Sequence, residues 1–203
     1  MKTRTIIALF ALVAVGIGLA GCFESSGPVA KIIASPTEAY PPFEAVLSAI
    51  DSSSAYALIA SYQWDFGDGS ELGNAQVEYH TYETKGVYEV TLTVTDSNGD
   101  TDVAATVITA KNIPPTARFE LTPRQVAVNQ SVRLNASSSV DLDGEIVSYI
   151  WDFGDGETDE GVSVRHAYTE HGWSPQITLT VIDEDGATST FSDFVVVVTC
   201  CGG

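Results

Sequence analysis

Basic residues are scarce in this chain of 203 residues, which carries nine Lys and Arg against 27 Asp and Glu and a formal net charge of −18 at pH 7. Nucleic-acid binding relies on Lys and Arg to neutralise phosphates, and an acidic surface repels them. We therefore expect no nucleic-acid partner. The same acidity attracts divalent cations and aids solubility, although a salt-rich habitat would favour it without any binding role.

Cysteines and the motifs of common catalysts are also few. The chain shows no Ser-His-Asp ordering, no phosphate-binding glycine loop and no Cys-x-x-Cys pair. Its three cysteines are Cys22, Cys200 and Cys201. A disulfide between the two adjacent cysteines would close a strained ring, so we expect free thiols, bonds to another chain or no role there.

Long apolar runs are absent after the first 21 residues. Lys2 and Arg4 precede an apolar run over residues 6–20, and Leu-Ala-Gly-Cys follows at residues 19–22. Residues 1–21 resemble a bacterial lipoprotein signal peptide. The resemblance implies cleavage before Cys22, lipid attachment to its thiol, and a lipid-anchored protein in the cell envelope, facing outside the cytoplasm. An uncleaved membrane span is disfavoured because the run is shorter than the ~20 residues a span needs.

One hexapeptide, Trp-Asp-Phe-Gly-Asp-Gly, occurs at residues 64–69 and again at residues 151–156, 87 residues apart. Further matches at nearly the same spacing flank both copies, which makes the chain an internal duplication with units of domain length. We place the first unit at residues 28–111 and the second at residues 112–199. Residues 22–27 would form a tether, and residues 200–203 a tail.

Apolar and polar residues alternate in both units, as residues 90–95 and 177–181 illustrate. This period of two is typical of strands that bury one face. It also places the Trp and Phe of each hexapeptide on one face, while Asp-Gly and Asn-Gly pairs supply turns at short intervals. The pattern predicts two β-sandwiches, each with its Trp and Phe at the centre of the core.

Both units carry Tyr-x-Trp-Asp-Phe-Gly-Asp-Gly, then His-x-Tyr, a glycine, and Thr-Leu-Thr-Val-x-Asp. This set resembles the PKD domain, which implies two tandem immunoglobulin-like β-sandwich domains of seven strands each. The second unit departs at residues 172–177, Gly-Trp-Ser-Pro-Gln-Ile, where Gly-x-Tyr-x-Val is usual. The first departs at residues 51–56, which lack the Asp-x-Asp-Gly of the second. The fold class that we expect is all-β.

The carboxylates of the hexapeptides, Asp65 and Asp68 in the first copy, could hydrolyse a glycosidic bond if a cleft separated them. Asp68 precedes a turn glycine, however, and Asp65 alternates with apolar strand residues. Their identical duplication favours a structural turn. We expect His80 and His166, which also occupy equivalent positions, to pack or hydrogen-bond within the sandwich. We therefore predict that the chain is not an enzyme.

In the second unit, two acidic loops should lie at one end of the sandwich. Residues 141–144, Asp-Leu-Asp-Gly, follow the predicted second strand, and residues 183–186, Asp-Glu-Asp-Gly, follow the sixth. Asn112 precedes the first strand at the same end. Calcium takes six to eight oxygens from flexible loops, and the PKD resemblance implies Asn112, Asp141 and Asp143 as its ligands. Solvated turn aspartates would give the same sequence.

The resemblance also implies a non-catalytic function, because PKD domains commonly accompany surface proteins, collagenases and chitin-degrading enzymes as accessory modules. We expect a lipid-anchored cell-surface protein whose domains bind an extracellular protein or polysaccharide, or act as a spacer. Trp173 is the expected ligand-binding residue, because Trp64 and Trp151 are assigned to the cores.

Two other functions are consistent with the sequence. A structural subunit would assemble through the terminal cysteines and the apolar run at residues 195–198, which is either covered on both faces or paired with a partner's strand. The other is an accessory subunit of an extracellular glycan- or protein-degrading enzyme, or such an enzyme itself. The oligomeric state is left open.

Overall fold

The structure, a computed structural model, describes residues 27–199, which form two β-sandwiches in tandem. The all-β prediction with two immunoglobulin-like sandwiches is confirmed. None of these residues belongs to a helix that could span a membrane. The predicted signal peptide, the lipid-attachment residue Cys22, and Cys200 and Cys201 lie outside the described residues.

The first domain contains nine strands. They are β1 (Pro28–Val29), β2 (Ile33–Ser35), β3 (Glu38–Ala39), β4 (Phe43–Ser48), β5 (Ser53–Ser54), β6 (Ile59–Asp65), β7 (Val77–Tyr82), β8 (Gly86–Asp96) and β9 (Thr101–Ala110). One sheet has the order β2-β4-β7 and the other has the order β3-β9-β8-β6, while β1 pairs with β5. Neighbouring strands are antiparallel except for β3 and β9.

The second domain repeats this arrangement. Its strands are β10 (Glu120–Thr122), β11 (Gln125–Ala127), β12 (Ser131–Asn135), β13 (Ile146–Asp152), β14 (Thr158–Glu160), β15 (Ser163–Ala167), β16 (Gln176–Asp183), β17 (Thr188–Phe194) and β18 (Val196–Val198). Sheets of order β10-β12-β15 and β14-β13-β16-β17 face each other, and β11 pairs in parallel with β18.

The nine segments of the second domain differ from the seven strands that the family resemblance implied. The first strand is divided into β10 and β11, and the last is divided into β17 and β18. Because of this division, β10 pairs with β12 in one sheet, whereas β11 pairs with β18, the second part of the last strand. When each divided strand is counted once, the second domain has the seven strands that the resemblance implied, with the short strand β14 at the edge next to β13.

Each core is built around one tryptophan, as the period-two pattern predicted. Trp64 and Trp151 are completely buried, and Phe66 and Phe153 lie beside them. The indole N–H of Trp64 donates to the carbonyl oxygen of Ala75 at 2.9 Å. The indole N–H of Trp151 donates in the same way to Gly161, at 2.8 Å. Because each buried donor has an acceptor, the large rings enter the core without an unsatisfied polar group.

The terminal apolar run corrects one expectation. Val195 and Val197 are buried, whereas Val196 is 44% exposed, so the strand alternates and is not covered on both faces. Both of its edges pair within the domain, one with β11 and the other through a bridge between Val197 and Trp173. Within residues 27–199, both edges of β18 are therefore occupied at Val197, which leaves little edge for the strand of a partner.

Two glycines of the second hexapeptide provide a matched test of the turn. Gly154 and Gly156 both have positive φ, at 79° and 95°. A Cβ on Gly154 would lie 2.4 Å from the carbonyl oxygen of Gln176, whereas a Cβ on Gly156 would meet nothing within 4 Å. Left-handed backbone costs about 1–2 kcal/mol in an L-residue, and forced contacts in a packed region cost roughly 1–3 kcal/mol more.

We therefore expect Gly154→Ala to lower the free energy of unfolding of the second domain by about 3 kcal/mol. Gly156→Ala should lower it by only about 1 kcal/mol, because the backbone penalty alone applies. Urea unfolding of protein covering residues 23–199 measures both values. Equal losses in the two variants would show that the approach of Gly154 to β16 does not constrain the turn.

Candidate functional site

The aspartates of the hexapeptides hold the turn in place. Asp65 accepts a hydrogen bond from the backbone N–H of Gly67 at 2.9 Å, and Asp68 accepts one from Ser70 at 3.0 Å. Asp152 and Asp155 make the equivalent bonds in the second copy, to Gly154 and Glu157. The same local bonds occur in both domains, which indicates that these carboxylates stabilise the turn.

Each histidine extends this turn by pairing with its second aspartate. His80 Nε2 lies 2.7 Å from Asp68 Oδ2, and its ring stacks on Phe66 with centroids 4.0 Å apart. His166 pairs with Asp155 at 2.7 Å and stacks on Phe153 at 3.9 Å. An ionised carboxylate only accepts hydrogen bonds, so Nε2 is the donor. The histidines therefore pack and hydrogen-bond, as their equivalent positions predicted.

The acidic loops and the linker meet at one end of the second domain. Asn112 Nδ2 donates to Asp183 Oδ2 at 2.7 Å, and the backbone N–H of Ile113 donates to Asp143 Oδ2 at 3.0 Å. Asp143 N–H in turn donates to Asp141 Oδ1 at 3.3 Å. The structure thus brings together Asn112, Asp141 and Asp143, the three predicted calcium ligands. We call these three residues the linker cluster.

Two oxygens of the linker cluster, Asp141 Oδ2 and Asp143 Oδ1, are buried and have no hydrogen-bond partner. Buried carboxylate oxygens are normally paired, so these two atoms suit a cation. No group of three His, Cys, Asp or Glu side chains within residues 27–199 is disposed to hold a metal ion. The linker cluster offers two aspartates and an asparagine, whose amide oxygen is also a calcium ligand.

Asp183 supports the linker cluster from the end of β16. Its side chain is buried, which by itself raises the pKa of its carboxyl group. Hydrogen bonds from Asn112 and from the backbone of the following turn outweigh that effect, and the net result is a lowered pKa. Asp183 therefore stays ionised and fixes the orientation of the Asn112 amide.

At the equivalent end of the first domain, the loops are joined by hydrogen bonds from serine hydroxyls. Ser52 Oγ donates to the carbonyl oxygen of Lys31 at 3.2 Å, and Ser54 Oγ donates to Asp96 Oδ2 at 3.1 Å. Asp96 corresponds to Asp183, but serines occupy the loop where the second domain has Asp141 and Asp143. This chemistry favours a cation site in the second domain over the first.

Trp173 lines a cavity of about 430 Å³ in the second domain. Its side chain is 36% exposed, and its ring meets Tyr168 edge-on with centroids 6.2 Å apart. The other lining residues are mainly polar: Asp155, Glu157, His166, Ala167, Thr169 and Glu170. We call this cavity the Trp173 pocket.

Trp173 is also more exposed than Tyr88 and Tyr168, two other aromatic side chains of the sandwiches. Tyr168 is buried, and Tyr88 is half-buried with its hydroxyl donating to the carbonyl oxygen of Thr84 at 2.7 Å. The Trp173 pocket lies by the turn that follows β13, whereas the linker cluster lies by its start. The two sites therefore occupy opposite ends of the sandwich.

Lys85 is a residue that sequence reasoning missed. Its ammonium donates to Asp185 Oδ2 at 2.5 Å, Glu184 Oε1 at 3.0 Å and Asn112 Oδ1 at 3.3 Å. The one feature of the sequence that could have singled it out is the scarcity of lysine, because residues 27–199 contain three lysines. Its contacts cross from the first domain to the second, and sequence alone does not place one domain against the other.

Comparison with known proteins gives one family over both domains. The PKD domain family matches at residues 25–110 and 112–198. Over 92 residues the chain is 40% identical to pre-pro-metalloprotease PrtV of Vibrio cholerae, covering 45% of this chain and 9% of that protein. Over 119 residues it is 36% identical to collagenase ColQ1 of Bacillus cereus, covering 57% of this chain and 12% of that protein.

A solved structure, the PKD1 domain of Vibrio cholerae metalloprotease PrtV, is 42% identical to the matched part of the chain. It covers 43% of this chain and 100% of that domain, with a TM-score of 0.38. The chain spans about a tenth of the length of the curated relatives that it matches, 9% of one and 12% of the other.

The pairing of Asp68 with His80 makes the stability of the first domain depend on pH. Partial burial raises the pKa of Asp68, but hydrogen bonds from Ser70 and His80 outweigh it and hold the pKa below its usual value. A carboxylate with a lowered pKa stabilises the fold above its unfolded pKa of about 3.9. That contribution is lost as the pH falls through the folded pKa.

Asp68→Asn, which keeps an acceptor for Ser70, should lower the free energy of unfolding by about 0.5–1 kcal/mol at neutral pH. The difference from the parent protein should shrink towards zero as the pH falls below the unfolded pKa of about 3.9 and through the lowered folded pKa of Asp68. Urea unfolding at a series of pH values measures it. A difference that is independent of pH would mean that the Asp68 charge does not stabilise the fold.

Proposed function

Because the chain belongs to the PKD domain family, we propose that it is a non-catalytic binding module that a lipid holds in the cell envelope, facing outside the cytoplasm. Its second domain contacts an extracellular protein or polysaccharide through the Trp173 pocket, and its first domain acts as a spacer. PKD matches over residues 25–110 and 112–198 support this function, because they account for nearly all residues after the predicted signal peptide.

The observation that carries the binding proposal is the exposure of Trp173 beside a cavity. Binding sites for small ligands are concave and combine an aromatic surface with a few polar groups that fix orientation. The Trp173 pocket has this composition, with carboxylates from Asp155, Glu157 and Glu170 around one indole ring. Carboxylates accept hydrogen bonds from hydroxyl and amine groups, so the pocket suits a sugar or a side chain rich in donors.

The order of the parts along the chain supports presentation at a distance. The first described residues pair with β5 at the end of the first domain opposite Lys85, and Lys85 contacts the second domain. The Trp173 pocket lies at the end of the second domain opposite the linker cluster. A lipid at Cys22 would then be at one end of the chain of domains and the pocket at the other.

The names of the relatives, a metalloprotease and a collagenase, favour protein as the contact. Metalloprotease PrtV and collagenase ColQ1 contain a stretch similar to this chain that makes up about a tenth of each protein, 9% and 12%. A second function that this observation favours is an accessory role, in which the module holds such an enzyme or its substrate in trans. The assembly function has less support, because both edges of β18 pair within its own domain.

Calcium in the second domain is part of the proposal. Asn112, Asp141 and Asp143 would hold the ion, and the buried unpartnered oxygens Asp141 Oδ2 and Asp143 Oδ1 support that assignment. Calcium would supply positive charge that pairs these oxygens. Because Asn112 belongs to the linker, the ion would also fix the linker to the second domain.

Removing the exposed indole should abolish binding without unfolding the protein. We expect protein covering residues 23–199 to co-sediment with at least one of insoluble chitin, cellulose, peptidoglycan and collagen. Trp173→Ala should reduce the bound fraction at least tenfold, since aromatic anchors dominate such contacts. Tyr79→Ala, at a 66% exposed aromatic residue of the first domain, is the matched control. Equal retention of both variants would exclude the Trp173 pocket as the binding site.

Lipid attachment depends on a single thiol in the proposal. In cells that express the full chain, we expect incorporation of labelled fatty acid and recovery in the membrane fraction. Cys22→Ser should remove both, because the buried acyl chains supply the adhesion. A chain that remains in the membrane fraction after this substitution, without label, would contradict the lipid anchor.

A further inference from the structure

Lys85 is held by the second domain although it belongs to the first. It lies between β7 and β8, and its ammonium contacts three oxygens that are 27, 99 and 100 residues further along the chain. Its side chain is 22% exposed, so these contacts are partly shielded from solvent. The other lysine near the linker, Lys111, pairs at 2.8 Å with Glu38 of its own domain.

The ammonium of Lys85 lies in the immediate surroundings of the linker cluster. A Cβ on Gly144 would be 2.8 Å from Lys85 Nζ, 2.9 Å from Glu184 Oε1 and 3.1 Å from Asp141 Oδ2. These three atoms therefore surround one point, and a side chain at residue 144 would displace them. The absence of a side chain there lets a cation from the first domain approach the carboxylate of Asp141.

Lys85 also uses an oxygen that a metal ion would need. It donates to Asn112 Oδ1, the free acceptor of an amide whose Nδ2 is already bonded to Asp183. A divalent ion on Asn112, Asp141 and Asp143 would lose that ligand to the ammonium, or would repel the ammonium at short range. The two cations cannot both occupy their best positions.

We propose that Lys85 is a built-in competitor of the divalent cation at the linker cluster, and that binding of the cation releases the first domain. With Lys85 in place, its three contacts hold the two domains together. With calcium bound, the linker is fixed to the second domain and Lys85 is expelled, so the first domain moves more freely. This competition rests on the calcium site proposed above, whereas the contacts of Lys85 do not.

The test compares Lys85→Gln with Lys111→Gln in protein covering residues 23–199. Both variants remove one positive charge from the first domain, but Lys85 pairs with Glu184 and Asp185 of the second domain, whereas Lys111 pairs with Glu38 of its own domain. Titration calorimetry with calcium chloride at low ionic strength should give at least tenfold tighter binding to Lys85→Gln than to the parent protein. Lys111→Gln should bind within about twofold of the parent.

Release of the domain is measured between spin labels. Residues 23–199 contain no cysteine, so Val107→Cys and Val147→Cys, at exposed positions in the two domains, give unique labels. Calcium should broaden the distance distribution of the parent protein. The Lys85→Gln variant should show the broad distribution with and without calcium.

Two results would overturn the competition, and they differ in what they say about calcium. Equal calcium affinity in the parent and in Lys85→Gln would leave the calcium site standing and show that Lys85 does not compete for it. No calcium binding to either protein would remove the competition together with the calcium site. Neither result alters the test of the Trp173 pocket.

Discussion

Burial of one tryptophan in each domain is the constraint from which the other features follow. An indole ring in the centre of a sandwich needs two facing sheets and an acceptor for its N–H. Trp64 and Trp151 find that acceptor on the chain segment after the turn, at Ala75 and Gly161. The turn must therefore return close to its own strand, and the hexapeptide with its left-handed glycines makes this possible.

The hexapeptide turn also fixes the residues around it. Its second aspartate pairs with the histidine of the facing strand, the histidine stacks on the phenylalanine, and the tyrosine two residues later donates to the phenylalanine carbonyl. In the second domain the same turn forms one wall of the Trp173 pocket through Asp155 and Glu157. A structural device that occurs in both domains thereby forms part of a cavity in the second.

The sequence predicts those features that depend on local pattern or on the topology of one domain. Alternation placed Trp151 and Phe153 in the core, and the immunoglobulin-like topology placed Asn112, Asp141 and Asp143 at one end. The role of Lys85 depends on how two domains meet, which no pattern within either domain encodes. The terminal valines were misjudged because a run of four apolar residues hides the alternation that Val196 reveals.

The central claim, that the second domain binds its ligand through the Trp173 pocket, is tested most directly by the indole N–H signals of the protein. The chain has three tryptophans, of which Trp64 and Trp151 are buried and Trp173 is exposed. Titration of ¹⁵N-labelled protein with soluble fragments of the polymer that retains it should shift the Trp173 indole signal and leave the other two in place. Binding that leaves the Trp173 signal unchanged would contradict the claim.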